Sequence, residues 1–163
     1  MLLLIIRHAD AGERDPARWP DDTQRPLSDK GRKVHRRVSR ALGQLELVPE
    51  LVLTSPWIRA AQTADILADE LKLERPPVPV AALVDTPELS RLADDLGRPQ
   101  SGATVAMVGH SPWVEELGAI LLGGSATSVR IDFPKSGVLG IDLAELAPAA
   151  GELRFLLRPK QLG

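Results

Sequence analysis

Short apolar runs alternate with segments of helical periodicity along most of this chain, and that alternation constrains the fold more than any other feature of the sequence. Leu2–Ile6 is wholly apolar, as in a strand buried on both faces. Leu51–Leu53, Val78–Leu83 and Thr104–Val108 read as further strands. Between them lie three predicted helices. Ser28 caps one running to about Leu45, with Val34, Val38, Ala41, Leu42 and Leu45 on one face. Pro56–Leu71 and Pro87–Leu96 are the second and third, and Pro112–Leu122 follows the last of these strands. The tail reads as strands Val129–Phe133, Val138–Leu143 and Leu153–Leu157. Strand–helix alternation followed by an all-strand tail predicts a single three-layer α/β/α domain over residues 1–163, with a mostly parallel sheet and an antiparallel edge.

With 163 residues, a chain of this kind buries enough surface to fold without staples. There is no cysteine, which excludes disulfides, thiolate catalysis and zinc–sulfur or iron–sulfur sites. The net charge of −2 argues against a general nucleic-acid binder. Met1–Ile6 is too short, and lacks the basic flank, for a signal peptide, and no later window is apolar enough to span a membrane. A cytoplasmic protein is expected. Arginines number 15 and lysines 5, and arginine suits bidentate binding of phosphate or carboxylate.

Ser55-Pro56, Thr86-Pro87 and Ser111-Pro112 each stand between a predicted strand and a predicted helix. Serine or threonine as N-cap with proline at the first helical position predicts three helices starting at the carboxyl ends of three strands. Such starts favour anions, and the ligand crevice of an open α/β sheet lies at those strand ends. Arg7 and His8 follow the first strand, Arg59 lies in the first turn of the second helix, and His110 follows Thr104–Val108. Asp85 and Glu88 flank Thr86-Pro87.

This set suits phosphoryl transfer. Two guanidinium forks hold peripheral oxygens, Ser111 adds a donor, a neutral imidazole attacks phosphorus, and an acid protonates the leaving atom. Asp85 and Glu88 also read as acids favoured at a helix start. A metal on His8 and His110 would need further ligands that the sequence does not place, so neither metal nor cofactor is expected. The run Arg32-Lys33-Val34-His35-Arg36-Arg37, within the basic stretch 32–40, reads as a solvated helix face rather than a patch for nucleic acid or an acidic partner. Trp19, Trp57 and Trp113 read as ordinary packing or as walls of a substrate pocket.

Four stretches carry a resemblance. Arg7-His8-Ala9-Asp10-Ala11 resembles the Arg-His-Gly signature of the histidine phosphatase superfamily, the phosphoglycerate-mutase-like proteins. Arg25-Pro26-Leu27-Ser28-Asp29-Lys30-Gly31, Ser55-Pro56-Trp57-Ile58-Arg59-Ala60-Ala61-Gln62-Thr63 and Val108-Gly109-His110-Ser111-Pro112 resemble its three later motifs, in order and at family spacing. The short length and His-Ser-Pro resemble the small SixA-type branch of phosphohistidine phosphatases. The resemblance implies that His8 is the nucleophile, that Arg7, Arg59 and His110 complete the phosphate pocket, and that Arg25 adds charge at its rim. The implied partner is a phosphorylated protein carrying phosphohistidine, or else a small phosphorylated substrate; a binding module without turnover is the alternative of another class. Ala9 stands where the family has glycine, which is tolerated if the backbone there is not left-handed. The family's proton-donating glutamate is not evident, leaving Asp85 and Glu88 as candidates.

Overall fold

The computed structural model describes residues 1–99 and 101–162. Six strands form one sheet: β1 (Leu2–Arg7), β2 (Leu51–Thr54), β3 (Val78–Pro79), β4 (Thr104–Gly109), β5 (Val138–Leu143) and β6 (Gly151–Leu157). Their order is β3-β2-β4-β1-β5-β6. The first four are mutually parallel, and β5 and β6 add the antiparallel edge that the sequence predicts. Four helices cover the sheet: α1 (Asp29–Gln44), α2 (Ile58–Leu71), α3 (Leu89–Leu96) and α4 (Trp113–Gly123).

The alternation of side chains along a strand divides the core into two layers. Leu4 and Ile6 of β1 join Val52, Ala106 and Val108 under Val38 and Leu42 of α1 and Ala60, Ala64 and Leu67 of α2. Leu3 and Ile5 join Leu53, Val105 and Met107 under Leu92 and Leu96 of α3 and Trp113, Val114, Leu117 and Leu121 of α4. Leu3, Leu4, Ile5 and Ile6 are all fully buried, each contributing roughly 1.5–3 kcal/mol. No helix among the described residues is long and apolar enough to cross a membrane.

The sequence reading departs from the structure at four places. First, the three Ser/Thr-Pro junctions do not cap their helices: the N-caps are Trp57, Glu88 and Pro112, none with a side-chain cap bond. A residue before proline is driven toward extended backbone, so each helix starts beyond the proline rather than on it. Second, Val78–Leu83 is a two-residue strand followed by a 3₁₀ turn at Ala81–Leu83. Third, Val129–Phe133 is not a strand, because β5 is already flanked by β1 and β6 and the carbonyls of Asp132 and Phe133 accept from Arg158 and Arg7. Fourth, His35 is fully buried rather than on a solvated face.

Candidate active site

The register of β1 against β4 builds the centre of the site. Arg7 lies opposite Gly109, so the next residues, His8 and His110, leave adjacent parallel strands side by side. The His8 amide donates to the Gly109 carbonyl at 2.9 Å, and the two rings stand 5.1 Å apart between centroids. The β2 end adds Ser55, whose amide donates to Val108 O at 3.0 Å. Arg59, on the first turn of α2, is 5% exposed, against 8% for His8 and 7% for His110. His8, Arg59 and His110, with Arg7, Arg25, Trp57, Asp85, Ser111, Glu116 and Lys135 among others, line a cavity of about 410 Å³.

Several motif residues act on backbone rather than on a ligand. Thr63 Oγ1 accepts from the Ala9 amide at 3.0 Å, and Gln62 Oε1 accepts from the Leu27 amide at 2.9 Å, so α2 pins the segment after His8. Ser28 caps α1 by accepting from the Gly31 amide at 3.0 Å. A Cβ on Gly31 would fall 2.0 Å from Asp10 O, so glycine alone lets α1 start against the loop that follows His8. Ala9 is not in the left-handed region, which satisfies the condition for alanine there.

The two imidazoles differ in their partners. His8 Nδ1 donates to Ala9 O at 2.6 Å, which leaves Nε2 as the free ring nitrogen. His110 Nε2 lies 2.7 Å from Ser55 Oγ, and its Nδ1 is buried with no protein partner. Burial pushes the His8 imidazole down to about 4, with Arg59, Arg7 and Lys135 reinforcing and the Ala9 bond opposing. His110 is pushed down to about 3 by burial, then by His8 and Arg59. Both rings are therefore neutral at pH 7, and a neutral ring at His8 keeps a lone pair for attack.

Arg59 Nη1 donates to Asp22 O at 2.8 Å, its Nη2 lies 3.3 Å from Asp22 Oδ2, and its guanidinium stacks 4.7 Å from the centroid of Trp57. Trp57 in turn sits 4.6 Å from the His110 ring. Arg7 Nη1 donates to Phe133 O at 2.6 Å while its Nε is buried without a partner. Arg25 is tied to Asp22 at 2.8 Å and to the carbonyls of Ala11 and Gly12, so its donors clasp the loop even where it meets the cavity. Ser111 lines the cavity, but its hydroxyl donates to Glu115 at 2.8 Å.

Of the two acids, Asp85 lines the cavity, whereas Glu88 is not among its lining residues and lies 4.0 Å from Arg91. Glu88 caps α3 on the outside, which explains its distance from the chemistry. Trp113 lines the cavity from a buried position; Trp19 lies outside it beneath Arg18. Sequence reasoning missed Lys135, Glu116, Asp22 and the hydroxyl of Ser55. Lys135 reaches the cavity because antiparallel β5 starts where β1 ends; its Nζ lies 2.6 Å from Asp10 Oδ1. Ser136 beside it donates its amide to the carbonyls of Arg7 and His8, and buried His35 meets its hydroxyl at 3.3 Å. Thus a side chain from the basic run supports the site from below.

The comparisons with known proteins agree with this geometry. Residues 3–85 match the family model described as the histidine phosphatase superfamily, branch 1. An uncharacterized protein of Picosynechococcus is 33% identical over 167 residues, covering 99% of each chain. The structure of the protein histidine phosphatase SixA complexed with tungstate superposes with a TM-score of 0.84 at 27% identity over 100% of both chains. The alpha-ribazole phosphatase of Shigella flexneri has the same fold, with a TM-score of 0.74 at 19% identity over 98% of this chain and 97% of that one. A phosphoglycerate-mutase-like sheet, two histidines at adjacent strand ends and a family model spanning half the sequence make this chain a member of the histidine phosphatase superfamily, a SixA-like phosphatase.

Proposed function

We propose that the protein hydrolyses phosphohistidine on a protein substrate, without a metal, through a covalent phosphohistidine intermediate on His8. The observation that carries this reading is the free Nε2 of a neutral His8, oriented by the Ala9 carbonyl, in a cavity shared with Arg7, Arg59, Lys135 and His110. Nε2 donates its pair to phosphorus as the substrate's P–N bond breaks. The departing nitrogen keeps the bonding pair and takes up a proton. Water then attacks phosphorus, the Nε2–P bond returns its pair to His8, and the proton lost by water balances the one consumed earlier. Arg7 and Arg59 hold the peripheral oxygens while charge redistributes.

The phosphoramidate preference rests on the leaving group. The bridging nitrogen of a phosphoramidate is protonated far more readily than the bridging oxygen of an alkyl ester, and imidazole departs far more easily than an alkoxide, so a weakly positioned acid at the rim is sufficient. A second reading, hydrolysis of a small phosphoester or sugar phosphate, is favoured by Asp85 in the cavity lining, from which it serves as proton donor. Glu88 has no such support.

Wild-type protein is incubated with a ³²P-phosphohistidine peptide, an aryl phosphate and an alkyl phosphate, with a chelator present. The expected result is turnover of the peptide and acid-labile label on the protein that His8→Ala abolishes. Unlabelled protein that binds phosphate tightly would instead identify a binding module. Alkyl phosphate turnover exceeding that of the peptide, and lost in Asp85→Asn, would favour the second reading.

A further inference from the structure

Ser55 occupies the place of an N-cap in the sequence, yet the α2 cap is Trp57 and the Ser55 hydroxyl is engaged elsewhere. Its side chain is fully buried at the end of β2. Oγ accepts from the Trp57 amide at 3.2 Å and lies 2.7 Å from His110 Nε2. A serine hydroxyl has one proton to give. Among the described residues, His110 Nε2 is the acceptor that this hydroxyl has. Nε2 must then carry a lone pair, and a neutral ring with a lone pair on Nε2 carries its proton on Nδ1. That Nδ1 is the buried atom left without a protein partner, on a ring lining the cavity beside His8.

We propose that Ser55 is a positioning residue that fixes His110 as the Nδ1–H tautomer, so that the second imidazole meets the phosphoryl group as a hydrogen-bond donor and not as a rival nucleophile. The two histidines thereby receive opposite instructions from their neighbours. A carbonyl at Ala9 draws the proton of His8 to Nδ1 and leaves a lone pair facing the phosphorus. A hydroxyl at Ser55 takes the lone pair of His110 and leaves a proton facing the oxygens. Neutral imidazoles of identical composition become a nucleophile and an electrophile through one acceptor and one donor behind them. The kinetic part of this inference rests on the phosphatase reading; the tautomer itself does not.

The test is ¹⁵N-histidine NMR of the resting protein, with tautomers assigned through long-range ¹H–¹⁵N couplings, beside rapid-quench measurement of His8 phosphorylation. Wild type is expected to show His110 as Nδ1–H. Ser55→Ala is expected to shift His110 toward Nε2–H and to slow His8 phosphorylation about 10- to 100-fold. Ser55→Thr keeps the hydroxyl and is expected to restore the Nδ1–H signature. An Nε2–H or doubly protonated His110 in the wild type overturns the proposal, whether or not the variants fold. So does a folded Ser55→Ala protein with His110 still wholly Nδ1–H, or with its phosphorylation rate within twofold of wild type. If wild-type His8 takes no phosphoryl group at all, the phosphatase reading fails separately and the resting tautomer still decides this one.

Discussion

The two ends of the sheet each carry a hollow, and the larger one holds none of the side chains proposed for catalysis. At the amino ends of the parallel strands a cavity of about 630 Å³ is lined by residues such as Leu51, Leu73, Val105, Glu50, Glu74 and Arg75. At the carboxyl ends the cavity is about 410 Å³ and is lined by His8, Arg59 and His110, all buried. What separates the two is buried polar groups rather than space. Desolvation makes each donor and each lone pair at the carboxyl end stronger, and β1 and β4 deliver two imidazoles there in register. The charged groups at the amino end belong to connecting segments and helix ends, where water screens them.

Substitutions at the two ends test that contrast. The largest effect belongs to His8→Ala, which should lower kcat by at least ~10⁴-fold and abolish covalent labelling in the quench assay. Arg59→Ala should follow at roughly 10²- to 10³-fold in kcat/KM, read in steady-state kinetics with the same substrate. Gly31→Ala tests the support of the carboxyl end: its methyl group meets the Asp10 carbonyl, and a stability loss of about 1–3 kcal/mol is expected in thermal unfolding.

The pH profile gives a smaller, graded effect. His8 takes up a second proton only below about 4, so activity should stay level as pH falls through 6.5 and decline toward 4 as Nε2 is protonated. Stability follows the same sign. His8, His35 and His110 are all held below the ordinary histidine value by burial, so between about 4 and 6.5 the unfolded chain binds more protons, and stability falls as pH is lowered through that window. The smallest effect is expected at the amino end, where Glu74→Ala and Arg75→Ala should leave kcat/KM within about twofold of wild type. A large loss there would break the contrast.

The sheet was legible in the sequence where a strand is buried on both faces. Leu2–Ile6 and Val105–Val108 announce themselves as unbroken apolar runs, and Arg7-His8 and His110 after them mark the strand ends. Arg7, His8, Arg59 and His110 could therefore be placed at one edge before any coordinates. Contacts made across the sheet were not legible. Ser55 meets His110 because β2 pairs with β4, and Asp10 meets Lys135, 125 residues away, because β5 turns back along β1. No local periodicity encodes such pairings. The burial of His35 was hidden by its basic neighbours, two of which, Arg36 and Arg40, turn aside to Glu70. The helix starts were misread because Ser-Pro fits a cap and an extended strand exit equally well.

The stack of Arg59, Trp57 and His110 has a practical consequence. Trp57 is the indole that touches both a cavity guanidinium and the second imidazole, while Trp19 lies away from the cavity and Trp113 is buried with its Nε1 donating to Ala82 O at 3.1 Å. An oxyanion bound between Arg59 and His110 would alter the field at that one indole. The protein thus carries its own optical gauge of occupancy, and emission from a Trp19→Phe, Trp113→Phe background would follow ligand arrival in real time without any dye.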